Sequence, residues 1–153
     1  MDATCLLKLC PKGFTTHIEL EWKRFLQIPI DASDQDFHEQ IHRGFPASAV
    51  QTLLNLGAID TSTRNQIVPL TTLRRRLAQG ERLTMVESDR LFRVIHITAM
   101  AQALFEDTEK AKRWLTKPKV SLSGISPIAM LSTTLGTCQV EEMLVRLGEG
   151  FAF

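Results

Sequence analysis

The chain has 153 residues, 44% hydrophobic and 23% charged, with a formal net charge of +1, which is ordinary for a soluble globular protein of one compact domain or two small ones. No apolar run approaches the roughly 20 residues that cross a bilayer, and the start, MDATCLLKLCPKG, lacks the basic and then apolar pattern of a secretory signal. A cytoplasmic protein is expected, with Cys5, Cys10 and Cys138 as reduced thiols.

The small net charge hides an asymmetry. Residues 1–60 carry 5 Lys/Arg against 8 Asp/Glu, residues 61–100 carry 7 against 3, and residues 101–153 carry 6 of each. Any polyanion would be met by the middle segment, around the triplet Arg74–Arg75–Arg76.

In chain order the elements are mostly helices. Thr16 to Trp22 alternate in the manner of a short strand. Ser33 or Asp34 caps a helix that runs to about Arg43 and stops at Gly44. A second helix starts near Pro46 and carries Val50, Leu53 and Leu54, with Gly57 at its far end. Asp60 to Gln66 is polar and long enough only for a short helix. Pro69 opens the arginine helix and Gly80 closes it. TMVE, Thr84 to Glu87, is a capping box at the head of a long apolar helix that ends near Phe105. Asp107 or Thr108 caps the next helix, with Trp114 and Leu115, and Lys117 to Ser126 is a loop. Ser126-Pro127 starts a short helix for which Gly136 is the expected stop. Thr137 is the expected cap of the last one, which buries Val140, Met143, Leu144 and Leu147 and ends at Gly148. EGFAF follows, with two phenylalanines that need cover.

At about 100° per residue, Leu70, Leu73 and Leu77 form one stripe of the arginine helix. Thr71, Thr72, Arg75 and Gln79 fall on the opposite face, flanked by Arg76 and by Arg74, the latter nearest the core edge. Hydroxyls and a helix N-terminus suit phosphates, and an arginine fork suits a guanine edge. A solvated helix face is the competing reading of the triplet.

A short polar helix, a tight turn and the arginine helix, all after an apolar helix, make the helix-turn-helix layout. RGFPASAVQTLLNLG, VPLTTLRRRLAQGERLTMVESDRLFRV and KAKRWLTKPKVSLSGISPIAMLSTTLGTCQVEEMLVRLGEG together resemble the Xre/MbcA/ParS-type antitoxins over about 110 residues. The most specific segments are PxxTLxRR (Pro69 to Arg76), ESDRL (Glu87 to Leu91), WLxxP (Trp114 to Pro118), and LxGxxPxxxLxT followed by GxxxVxxxLxRxxxG (Leu122 to Gly148).

The resemblance implies an all-α fold: a Cro-like helix-turn-helix module followed by a small helical domain for toxin binding and dimerisation. Residues 1–33 would be an extension of unassigned structure, 34–83 the DNA-binding module and 84–153 the toxin-binding domain. It implies a cytoplasmic, dimeric, non-enzymatic protein without cofactor or metal. Its partners would be a RES-domain toxin that degrades NAD, and operator DNA through which it represses its own operon. Thr71, Thr72, Arg74, Arg75, Arg76 and Gln79 would contact DNA. Arg146, Glu149, Gly150, Phe151 and Phe153 would contact the toxin, the last helix and tail lying in or across its NAD cleft. The sequence departs from the family between Ile59 and Pro69, which is about two residues short, with Ile67 and Val68 where a turn glycine is usual. A β-branched residue resists positive φ, so the turn must differ or the helix before it must shorten.

Other constellations carry less. Cys5, Cys10 and His17 lack a fourth ligand, and His38 and His42 at i and i+4 lack a carboxylate or cysteine partner, so neither reads as a metal site. His96 sits in an apolar stripe and reads as a packed, hydrogen-bonded histidine. Ser88 and Asp89 point apart, so no triad forms with His96. The alternative function is a helix-turn-helix transcriptional regulator whose C-terminal half binds a ligand or another protein.

Overall fold

The computed structural model describes residues 26–29 and 32–150. They are helical, with isolated bridges at Pro46–Arg82 and Lys119–Ile125 and no named strand among the described residues. The proposed strand at Thr16–Trp22 lies outside them. No helix among the described residues is long and apolar enough to cross a membrane. The chain divides into two compact units between Phe92 and Arg93.

The first unit opens with α1, Asp34–Arg43. Ser33 caps it in a reciprocal box: Asp36 N–H donates to Ser33 Oγ at 3.3 Å and Ser33 N–H to Asp36 Oδ2 at 2.7 Å. Gly44 stops it with φ +83, and a Cβ there would run into the Leu83 carbonyl oxygen, so only glycine fits. Phe45 follows, fully buried. Its N–H donates to Ser88 Oγ at 2.9 Å, and its carbonyl accepts from Leu83 N–H at 2.9 Å. Ser88 is therefore a buried structural acceptor.

Pro46 then leads into α2, Ala47–Asn55, and Asp60 caps α3, Thr61–Ile67, by accepting from Thr63 N–H at 2.7 Å. α4 spans Leu70–Gln79 and ends at Gly80, φ +65. The core here comprises Phe37, Phe45, Val50, Leu53, Ile67, Val68, Leu73, Leu83, Leu91 and Phe92, with the Phe37 and Phe92 rings 5.6 Å apart.

The unit boundary falls inside α5, Met85–Phe105. Its predicted capping box is present: Thr84 N–H donates to Glu87 Oε2 at 2.8 Å, and Glu87 N–H to Thr84 Oγ1 at 3.2 Å. Glu106, φ +51, turns the chain into α6, Thr108–Thr116, whose first N–H groups are capped by Asp107 Oδ1 at 2.9 and 3.0 Å. A 3-10 turn at Val120–Leu122 follows, then α7, Pro127–Met130, and α8, Thr134–Gly148.

The last two helices differ from expectation. Gly136 does not end α7 and Thr137 does not cap α8; both lie within the first turn of α8, and the cap is Thr133, whose Oγ1 accepts from Gly136 N–H at 3.0 Å. The glycine serves close packing instead. A Cβ on it would strike the Met130 carbonyl oxygen, so α7 can return onto α8 only where a side chain is missing. Thr137 is buried and donates Oγ1–H to the Thr133 carbonyl at 2.8 Å. Val140, Met143 and Leu144 are buried as the stripe requires, with Leu147 half-buried.

Candidate nucleic-acid and protein-binding surfaces

The turn from α3 to α4 is two residues long. Val68 has φ −152 and ψ 134, and Pro69 has φ −60 and ψ 147, so both are extended and no positive φ is needed. The chain thus turns without the glycine usual in the family, in a turn of different form, as Ile67 and Val68 require. The Val68 side chain is fully buried and serves as core.

On α4 only Leu73 is buried. Leu70 and Leu77, expected to share its stripe, are 38% and 37% exposed. They lie at the two ends of a ten-residue helix, where less of the small unit covers them.

The three arginines are treated differently by the fold. Arg74 is exposed and makes no hydrogen bond or ion pair among the described residues. Arg75, its side chain 51% exposed, donates Nη1–H to Gln79 Oε1 at 3.2 Å and to Glu81 at 2.9 and 3.1 Å. Arg76 is only 13% exposed. It donates to Glu81 at 3.4 Å, to the Arg82 carbonyl at 3.1 Å and to Glu87 at 3.3 Å. Three residues after Leu73, Arg76 shares the inward side of the helix, so it, and not Arg74, is the arginine nearest the core. Glu87 thereby ties the head of α5 to α4 while it caps α5. Thr71 is exposed and Thr72 half-buried at the N-terminal end of α4.

Arg64 on α3 is buried, with Nε and Nη1 lacking a hydrogen-bond partner among the described residues. No sequence signal marked it, because in a polar seven-residue segment an arginine reads as surface.

The second unit has a different surface. Lys119 to Ile125 is knotted by backbone hydrogen bonds, Lys119 N–H to Ile125 O at 3.1 Å and Gly124 N–H to Lys119 O at 2.9 Å. Lys119 Nζ rests 5.0 Å from the Trp114 ring centre, and that ring lies 5.9 Å from Phe105. The half-buried Trp114 therefore supports the loop as well as the core. Val120 stands 98% exposed on this loop, while Leu122 is buried beneath it.

Leu135, 73% exposed, shares one face of α8 with Gln139, Glu142 and Arg146, spaced i, i+4, i+7 and i+11. An open groove of about 210 Å³ is lined by Ser121, Leu122, Gln139, Glu142, Met143 and Arg146. Arg146 and Glu142 form an i,i+4 ion pair at its rim. Glu149 caps α8 and Gly150 turns with φ +89, both exposed. Phe151 and Phe153 lie outside the described residues. The groove was missed because its loop was read as a connection; Leu122 amid polar residues was the available signal.

Inside this unit His96 is packed and hydrogen-bonded, as read from the sequence: its Nε2 lies 3.1 Å from Oε1 of the fully buried Glu141. Glu141 Oε2 has no hydrogen-bond partner among the described residues. His38 and His42 stack edge to face at 4.6 Å on the exposed side of α1. Among the described residues no three His, Cys, Asp or Glu side chains converge as metal ligands. Cys5, Cys10 and His17 are outside them.

Helix, two-residue turn and helix in one unit, and a second unit that is helical among the described residues and exposes Val120 and Leu135, define a helix-turn-helix protein with an appended helical domain. Residues 36–96 match the antitoxin Xre-like helix-turn-helix domain, and residues 100–150 match the antitoxin Xre/MbcA/ParS C-terminal toxin-binding domain. The chain is 50% identical to Antitoxin Xre of Pseudomonas putida over 126 residues, covering 82% of this chain and 79% of that protein. It is 29% identical to Antitoxin Xre of Yersinia enterocolitica over 115 residues, 73% of this chain and 78% of that one. With Antitoxin Xre of Photorhabdus laumondii the identity is 26% over 113 residues, 72% and 76% of the two chains. The chain belongs to the Xre antitoxin family, which is not a family of enzymes.

Proposed function

We propose that this chain is the cytoplasmic, homodimeric antitoxin of a type II pair, that it neutralises a RES-domain toxin that degrades NAD, and that it represses its own operon by binding DNA. The observation that carries the reading is the succession of the two domain matches on one chain, residues 36–96 and then 100–150. Thr71, Arg74 and Arg75 face DNA from the outer side of α4, with the half-buried Thr72 at its N-terminal end and Gln79 beside Arg75. Arg76, tied to Glu81 and Glu87, holds that face in place. Toxin contact is assigned to the end of α8 and the tail: Arg146, Glu149, Gly150, Phe151 and Phe153. Exposed Val120 and Leu135 extend the apolar surface available to a protein partner.

Co-expression with a RES-domain toxin encoded beside this chain's gene tests the reading. The full chain should preserve cellular NAD and growth, and a chain ending at Glu149 should fail to do so at equal dose. Loss of NAD despite the full chain would overturn the antitoxin assignment. Full protection by the shortened chain would remove the tail from the toxin contact.

A further inference from the structure

Arg75 is half occupied. Its Nη1 is held by Gln79 Oε1 at 3.2 Å and by Glu81 Oε1 and Oε2 at 3.1 and 2.9 Å, while its Nε and Nη2 make no hydrogen bond among the described residues. A guanidinium is planar, so pinning Nη1 sets the orientation of the whole fork. What is left is the Nε–Nη2 edge, two parallel donors on a half-exposed side chain.

Glu81 is itself a fixed post. Its N–H donates to the Arg76 carbonyl at 2.9 Å, directly after the left-handed Gly80. Its carboxylate also accepts from Arg76 at 3.4 Å, and Arg76 is anchored in turn by Glu87 and the Arg82 carbonyl.

We propose that Glu81 is a positioning residue for base recognition: it orients Arg75 so that the open Nε–Nη2 edge takes the O6 and N7 acceptors of a guanine in the DNA major groove. The proposal rests on the DNA-binding reading of α4 given above. A planar two-donor edge matches a planar two-acceptor base edge, and an arginine ordered before binding loses less rotamer freedom on binding. Had Glu81 acted as a competitor for the ligand, it would occupy that edge; it occupies Nη1. Arg74, exposed and without a partner among the described residues, is the arginine suited to a phosphate, which needs charge more than orientation.

The test is selection of binding sites from a random-sequence duplex pool by the full chain, followed by affinities for the selected duplex and a random duplex of equal length. Glu81→Ala should lower the selected-to-random affinity ratio about tenfold through lost preference for one guanine, while affinity for random DNA stays level or rises, since a negative charge is removed. Glu81→Gln, which keeps an acceptor without the charge, should restore part of the ratio, and Arg75→Lys, which lacks the fork, should lose the same guanine preference. An unchanged ratio in Glu81→Ala overturns the proposal and leaves the DNA reading standing. Tighter binding of the selected site would make Glu81 a competitor, and an equal fall on both duplexes with a shallower salt dependence would make Arg75 a phosphate contact; either overturns it. A pool from which the wild type enriches nothing overturns the DNA reading itself. Matching thermal melts of the variants confirm that folding is not what changed, and the Gln variant carries the test if the Ala variant does not fold.

Discussion

The two units differ in where they put the charged groups that hold them together. In the first, the three arginines of α4 run from outside to inside: Arg74 is exposed, and Arg75 and Arg76 are organised by Glu81 and Glu87 within the next eleven residues. In the second, the buried face of α8 carries the fully buried Glu141, paired to His96, while Val120 and Leu135 stand in solvent. An exposed, ordered cation suits a polyanion, and an exposed aliphatic side chain on a hydrogen-bonded loop suits a protein. The difference teaches where stability and binding separate. In the first unit they share one arginine cluster, whereas in the second the buried pair supports the fold and the outer face is free to bind.

The largest expected effect breaks the first unit at its backbone. Gly44→Ala combines φ +83 with a Cβ that meets the Leu83 carbonyl, and should cost roughly 3 kcal/mol in urea unfolding. Gly136→Ala, its counterpart in the second unit, meets the Met130 carbonyl without a φ penalty and should cost less, about 1–3 kcal/mol. If both variants melt like the wild type, the backbone does not approach Gly44 and Gly136 this closely.

His96→Ala leaves Glu141 buried with neither oxygen paired to that ring, and should cost about 2–3 kcal/mol. It should lower the stability of the second unit and leave DNA binding by the first intact; simultaneous loss of both activities would contradict their separation. Arg76→Ala should cost about 1–2 kcal/mol and weaken DNA binding through the fold. Arg74→Ala should leave the melt unchanged and flatten the salt dependence of DNA binding. Equal melting temperatures for the two variants would remove the structural role from Arg76.

Acid should act on the helix caps. Hydrogen bonds from Ser33 hold the Asp36 carboxyl below its ordinary value of 3.8, and the backbone N–H groups of Thr63 and Lys110 do the same for Asp60 and Asp107. A depressed folded-state value contributes stability that is present above the unfolded value and is lost as pH falls through the folded one. The chain should therefore lose stability below about pH 4, and less steeply in Asp60→Asn, as followed by circular dichroism in urea at successive pH values. Val120→Asp, at a side chain 98% exposed, should change stability by no more than about 0.5 kcal/mol, even though it should impair neutralisation of the toxin. A full loss of folding would mean that Val120 packs against the chain itself.

Much of the helix-turn-helix was legible because its signals are local. Ser33 and Asp36, Thr84 and Glu87, and Gly80 each set a helix end through contacts three to five residues away. The start of α8 was not legible. Gly136 resembles a stop in any local reading, and only the approach of α7 to α8 makes it an interior residue. The arginine triplet shows both cases. Its presence on one short helix follows from Pro69 and Gly80, but its division into exposed Arg74, oriented Arg75 and inward Arg76 depends on Glu81, Arg82 and Glu87, beyond the helix end.

The sequence by itself determined the helical class, the helix ends that rest on caps, and the family, because capping, periodicity and spaced motifs act over a few residues. Tertiary structure alone decided which leucine of α4 is core, which arginine turns inward, that His96 meets Glu141, and that Val120 stands in solvent. Burial and pairing are properties of surfaces brought together by folding, and residues 45 positions apart carry no local sign that they will touch.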